Sequence, residues 1–174
     1  MPTSYILTAS GQRLTTEAGA RLVLESSNGT TDSIKKRIMD RLVTNLSALI
    51  PSKFRGVTRE MDPLAASEKL PALMIYDGEE TEIEKDHFGR TYNFPVVFKI
   101  LAQSERNLAA KKDELVPEVQ RIVEGEIQLN GLANIVEGGT EQPFINELGK
   151  PVGGALLFYT VQYRRKLGDP YTTY

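Results

Sequence analysis

Two long stretches of this chain alternate in hydrophobicity with a period of two, and they limit the possible folds more than any other feature. Across residues 92–102, Tyr92, Phe94, Val96, Phe98 and Ile100 fall on one side of an extended backbone. Across 152–165, Leu157, Tyr159, Val161 and Tyr163 alternate with Leu156, Phe158, Thr160 and Gln162. A helix would scatter these residues around its axis, whereas a strand gathers them on one face. A sheet holding both runs therefore needs a second layer to cover its apolar side.

Two helical segments supply that layer. Ile34, Ile38, Leu42, Leu46 and Leu49 recur at helical spacing over 32–50, and Val43 and Ile50 widen the stripe. Lys35, Lys36, Arg37 and Arg41 fall mostly off it and read as a solvated face. Asn28-Gly29-Thr30-Thr31-Asp32 offers candidate caps, and Pro51 stops the helix. The second segment, 104–124, buries Leu108, Leu115, Val116, Val119, Ile122 and Val123, with Ser104 as its expected cap. Pro117 inside this pattern predicts a kink or a break.

Shorter strands fill the gaps. Residues 54–58 read as one, followed by a loop at Asp62-Pro63. Residues 70–76 form a compact apolar strand ending at Asp77-Gly78. An acidic stretch follows over 79–86 and closes at Gly89. Pro95 lacks an N–H, which predicts an edge or bulge position. A further strand is expected over 133–137, then a turn at Gly138-Gly139. Asp169-Pro170 ends the last strand and leaves 171–174 as a tail. Residues 1–28 stand apart, with two short apolar runs, Tyr5-Ile6-Leu7 and Arg21-Leu22-Val23-Leu24, separated by a polar stretch containing Gly11 and Gly19. They read as an added hairpin at the domain edge or as an arm ordered on a neighbouring subunit. The expected architecture is α+β: a mostly antiparallel sheet with two amphipathic helices packed on it over 29–174, plus an N-terminal extended arm or hairpin over 1–28.

Composition excludes several classes of function. At 174 residues the chain fits a single domain. It has no cysteine, so disulfides and thiolate metal sites are out. A net charge of −2 argues against binding held by phosphate neutralisation. No apolar run approaches a membrane span, and residues 1–10 lack the pattern of a signal peptide.

Nor do the residues converge on chemistry. His87 is the only histidine and lies beside Phe88 in the polar stretch, with no nucleophile in a distinctive setting; a surface residue is expected. Glu80, Glu82 and Glu84 alternate and would share one face of a strand, but a flat row does not wrap a cation. Gly149-Lys150-Pro151-Val152-Gly153-Gly154 has a phosphate-loop look, yet proline stands where serine or threonine is needed, so it reads as a turn feeding a strand. No catalytic, cofactor-binding or metal-ligating residue is expected.

Leu70-Pro71-Ala72-Leu73-Met74-Ile75-Tyr76-Asp77-Gly78-Glu79-Glu80 resembles a strand of the tail terminators, and related minor tail proteins, of long-tailed bacteriophages. Phe98-Lys99-Ile100-Leu101-Ala102 ahead of a charged helix is similar to that family, as are Val161-Gln162-Tyr163-Arg164-Arg165 and Gly168-Asp169-Pro170-Tyr171 at the end. The resemblance covers about residues 30–171 and leaves the N-terminal segment unmatched. It implies a non-enzymatic virion protein of the tail or neck, assembled in the host cytoplasm. Such a protein forms a homo-oligomeric ring, usually of six copies, that caps the tail tube and joins it to the head-side connector or adaptor. DNA would be passing cargo, and no membrane or cofactor is involved. The resemblance also implies a projecting loop after Tyr76-Asp77-Gly78, and its acidic residues Asp77, Glu79, Glu80, Glu82, Glu84 and Asp86 would face either the channel or a partner, or else form a solvated hairpin on the outer rim. The alternatives are a head–tail adaptor or head-closure protein, a tail tube subunit, or a hydrolase or metal-binding enzyme built on His87 and the acidic stretch.

Overall fold

The computed structural model describes residues 5–7, 13–17, 21–25, 32–59, 70–104, 107–146 and 152–173. The chain divides into two units, Met1–Asp32 and Ser33–Tyr174. The first is a three-stranded antiparallel meander: β1 (Tyr5–Leu7), β2 (Arg13–Glu17) and β3 (Arg21–Glu25). The polar stretch between the two expected runs thus contains a strand of its own. Its register sets Leu14 opposite both Ile6 and Leu24, while Arg13 faces Glu25 and Glu17 faces Arg21. One leucine among polar residues carries no periodic signal, and the strand is recognised only through its pairing. The expected caps at Asn28–Thr31, the Asp62-Pro63 loop and Gly149-Lys150-Pro151 lie outside the described residues.

The second unit is α+β. In order it runs α1 (Ile34–Leu46) with a 3-10 turn (Ser47–Leu49), β4 (Gly56–Thr58), β5 (Ala72–Asp77), β6 (Thr81–Lys85) and β7 (Gly89–Gln103). Then come α2 (Leu108–Gly125), a second 3-10 turn (Leu129–Gly131), β8 (Asn134–Asn146) and β9 (Val152–Lys166). The sheet order is β4-β5-β7-β9-β8, with β6 alongside β7 where β5 has ended. Every pairing is antiparallel except β4 with β5. β7 and β9 pair along all 15 residues of each and form the spine.

The two alternating stripes meet on one face of that spine. Phe94, Val96, Phe98 and Ile100 pack with Leu157, Tyr159 and Val161, and α1 and α2 cover them with Ile34, Ile38, Leu42, Leu46, Leu115, Val119 and Val123, all buried. Ser33 starts α1 by accepting a hydrogen bond from the Lys36 N–H at 3.3 Å. α2 is capped by Asn107, which accepts from the Ala110 N–H at 3.0 Å, and not by Ser104. Ser104 instead accepts from the Asn107 N–H at 3.0 Å, and so orders the residue that caps.

Two further expectations are corrected, at Pro95 and at Gly138-Gly139, and of the kink or break expected at Pro117 the break does not occur. α2 continues through Pro117 without a break. The proline is exposed, as is Asp113 one turn earlier, whose carbonyl loses its donor where water can replace it. Pro95 lies in a central strand. Its carbonyl accepts from the Gly78 N–H at 2.8 Å, at the junction where β5 leaves β7 and β6 joins it, so its missing donor interrupts no regular ladder. Gly138-Gly139 does not turn the chain. It forms part of one of two bulges within β8, and a Cβ at Gly138 would lie 2.1 Å from Cδ1 of Tyr159. The C-terminal residues also fold back. Thr173 bridges to Arg165 and the Lys166 N–H bonds to the Thr172 carbonyl at 3.1 Å, extending the sheet beside β9 past the start of β8.

Candidate functional site

The acidic stretch becomes a hairpin because glycine and aspartate control its two ends. Gly78 turns the chain out of β5 tightly against Pro95, whose Cγ a Cβ at that position would meet at 2.5 Å. β6 then runs along β7 with all five residues exposed. At the far end Asp86 accepts from the N–H groups of Phe88 (2.9 Å) and Gly89 (2.8 Å) and pairs with Arg164. Those two backbone donors first, and then Arg164, hold its carboxyl below the usual aspartate value.

The six acidic residues singled out from the sequence do different jobs. Asp77 pairs with Lys35 and Arg59, each at 3.0 Å. Burial opposes its ionisation, but hydrogen bonds from the two cations outweigh that, and its carboxyl also lies below the ordinary value. Glu80 accepts from the Tyr163 hydroxyl at 2.7 Å. Glu82 accepts from Arg90 (3.0 Å) and the Tyr92 hydroxyl (3.3 Å). Glu79 and Glu84 pair with no cation among the described residues. The expected row of three carboxylates does not form. A bulge between Glu82 and Glu84 sets Glu82 opposite Tyr92 and Glu84 opposite Thr91, adjacent residues whose side chains leave opposite faces of β7. Among the described residues no group of three or more histidines and acids is arranged to hold a metal ion.

His87 is exposed at the hairpin tip beside Phe88, which is 62% exposed. Replacing His87 with alanine is expected to change stability by less than about 0.5 kcal/mol in a denaturant titration. Of the segment with the phosphate-loop look, Val152, Gly153 and Gly154 belong to β9, where Gly154 lies against the Ile100 carbonyl.

The sequence did not reveal an aromatic and charged cluster beneath the hairpin. Tyr92 stacks on Tyr163 (centroids 5.6 Å apart), and Arg165 lies over Tyr92 at 4.3 Å while donating to its hydroxyl at 2.7 Å. Burial first, and then the hydrogen bond to Glu80, raise the pKa of Tyr163 above that of ordinary tyrosine. The signal was the pairing of Tyr92 with Tyr163, which exists only once the β7–β9 register is known. The cationic face of α1 is likewise bound within the chain. Lys35 reaches Asp77 and the Gly78 carbonyl, Arg37 the Tyr171 carbonyl, Arg41 Glu126, and Lys36 Asp40.

On the sheet face away from the helices, a polar hollow of about 540 Å³ reaches from Ile83 and Glu84 past Thr91, Gln162 and Arg164 to Asn134. No protein-family model and no curated protein matches this chain. Among the described residues no helix is long and apolar enough to cross a membrane.

The shifted aspartates make stability depend on pH. Asp77 and Asp86 ionise more readily folded than unfolded, so the stability they add is complete above the unfolded-state value near pH 4 and is lost as pH falls through their lower folded values. Thermal scans across the acid range are expected to fall less steeply for Asp77→Asn than for the parent. Equal slopes would mean that its ion pairs contribute nothing.

Proposed function

We propose that this chain is a structural subunit of a long-tailed bacteriophage virion, a tail terminator that forms a ring, caps the tail tube and joins it to the head-side connector. One observation carries the reading. The three segments that resemble the family occupy β5, β7 and β9 with its return, and these are neighbouring strands of one sheet. Residues 70–80, 98–102 and 161–171 therefore lie on adjacent strands and not at scattered places. A ring subunit needs shape and charge at its surfaces in place of reactive groups, because a heterologous contact that closes on itself makes a ring and one that fails to close makes a filament.

The experiment is electron microscopy of the purified full chain, alone and mixed with tail tubes, with its mass measured by light scattering. A terminator gives closed rings that sit at one end of a tube and stop its growth. Long polymers of the chain alone would instead make it a tube subunit. A monomer that leaves tubes uncapped would end the terminator reading.

A further inference from the structure

Two places on the second unit expose large apolar side chains in pairs, and the charges around them have opposite sign. At the tip of the β6–β7 hairpin, Leu167 is 43% exposed beside the exposed Phe88, and its N–H donates to the Phe88 carbonyl at 3.2 Å. At the corner where α2 leads into β8, Ile127 is 51% and Val136 48% exposed, and the Ile135 N–H donates to the Ile127 carbonyl at 2.9 Å. Val136 is the extra residue of the first bulge in β8, which turns it out of the ladder.

The tip has a positive rim. Lys85 and Lys166 are exposed and form no salt bridge among the described residues, and Arg165, stacked on Tyr92, pairs with no carboxylate there. The nearby acids are already engaged: Asp86 by Arg164 and two backbone N–H groups, Glu82 by Arg90, and Asp169 by the Tyr171 N–H. Glu84 lines the 540 Å³ hollow together with Arg164. The corner has a negative rim. Glu137 is exposed and pairs with no cation among the described residues, and Glu124 accepts from the Tyr159 hydroxyl but from no cation. The cations closest to hand are taken, Arg41 by Glu126 and Arg121 by Glu118.

These rims select what each apolar pair can meet. Tip on tip sets lysine against lysine, and corner on corner sets glutamate against glutamate. Tip on corner joins opposite charges around a shared apolar contact. Two side chains a side are far less than the roughly 800 Å² per partner of a stable interface, so each pair serves as the anchor of a wider contact. Tip and corner are different surfaces of one chain, so each docking event leaves a free tip on one copy and a free corner on the other.

We infer that the Phe88–Leu167 tip of one copy docks on the Ile127–Val136 corner of the next. The inference rests on the ring reading and names the two surfaces that meet in it.

The test uses the full chain and light scattering. Phe88→Ser with Leu167→Ser removes the tip, and Ile127→Ser with Val136→Ser removes the corner; all four side chains are exposed, so melting temperatures should stay near that of the parent. Each double variant alone should assemble at least about thirtyfold more weakly than the parent. An equimolar mixture of the two should give a dimer and nothing larger, because only one intact tip meets one intact corner. Glu137→Lys should weaken assembly at low salt, and Lys166→Glu in the same chain should restore it. The chain has no cysteine, so Phe88→Cys and Val136→Cys copies report the contact without background: oxidation should join the two kinds to each other in preference to their own kind. Rings that survive either pair of serines would overturn the inference and leave the ring reading standing. So would a mixture that stays monomeric, or variants that each still dimerise with themselves. A tip–corner contact that builds open filaments would uphold the inference and end the ring reading. A parent that is monomeric at every concentration would end both.

Discussion

Replacing Gly154 with valine is expected to destabilise the 33–174 unit by about 3 kcal/mol or more, shifting the denaturant midpoint without altering the overall secondary structure of whatever remains folded. The effect follows from how closely β7 and β9 approach. A Cβ at Gly154 would lie 1.8 Å from the Ile100 carbonyl oxygen and 2.9 Å from its carbon. Both atoms are backbone, so no side chain can swing aside, and β9 must lift from β7 where the two form the spine. Against a total stability of roughly 5–15 kcal/mol for a domain, that loss is large. Gly56 provides the control. A Cβ there meets nothing within 4 Å, so Gly56→Ala should leave the midpoint nearly unchanged. If the two variants behaved alike, the close approach at Gly154 would carry no energy.

How legible each element was depended on whether its signal lay in local periodicity or in long-range pairing. Phe94, Val96 and Phe98 announce β7 because alternation survives inside a single strand, and Ile34, Ile38 and Leu42 announce α1 for the same reason at helical spacing. β2 was invisible because Leu14 is its one apolar residue, and only the register, which sets it opposite Ile6 and Leu24, reveals the strand. Gly138-Gly139 carries the local signature of a turn, but β8 pairs with β9 on both sides of it, and tertiary pairing overrides the local preference. Ser104 and Asn107 are both able caps. The choice between them falls to where α2 begins, at Leu108, the first residue of its apolar stripe, which sets the cap three residues after Ser104.

The candidate site was legible as a composition and not as a geometry. The run from Asp77 to Asp86 reads as an acidic hairpin, and it is one. What the alternation of Glu80, Glu82 and Glu84 could not convey is the bulge at Ile83, which throws Glu82 and Glu84 to opposite faces. Nor did it convey that Tyr163 and Arg90, far along the chain or across the hairpin, engage two of those carboxylates. Glu79 and Glu84, which pair with no cation among the described residues, stand out only after these internal contacts are subtracted.

Replacing Phe98 with alanine is expected to destabilise the same unit by about 3–5 kcal/mol, through a cavity in place of an overlap. Phe98 is 1% exposed at the middle of β7 and faces Tyr159 edge-on, with ring centroids 5.5 Å apart. Tyr159 is held from its other end, since its hydroxyl donates to Glu124 on α2 at 2.9 Å. The ring cannot easily slide into the space that Phe98 leaves, and the neighbouring strands are fixed by the β7–β9 ladder. Much of the void should therefore persist, and a dry apolar void binds a small apolar molecule. Benzene should raise the melting temperature of Phe98→Ala and leave the parent unaffected. A variant that loses stability but gains nothing from benzene would mean that the core had collapsed around the site. Phe98→Leu separates the remaining terms. It refills most of the volume without restoring the aromatic edge, so it should recover most of the loss. If it recovers none, the contact with Tyr159, and not the packing volume, is what Phe98 contributes.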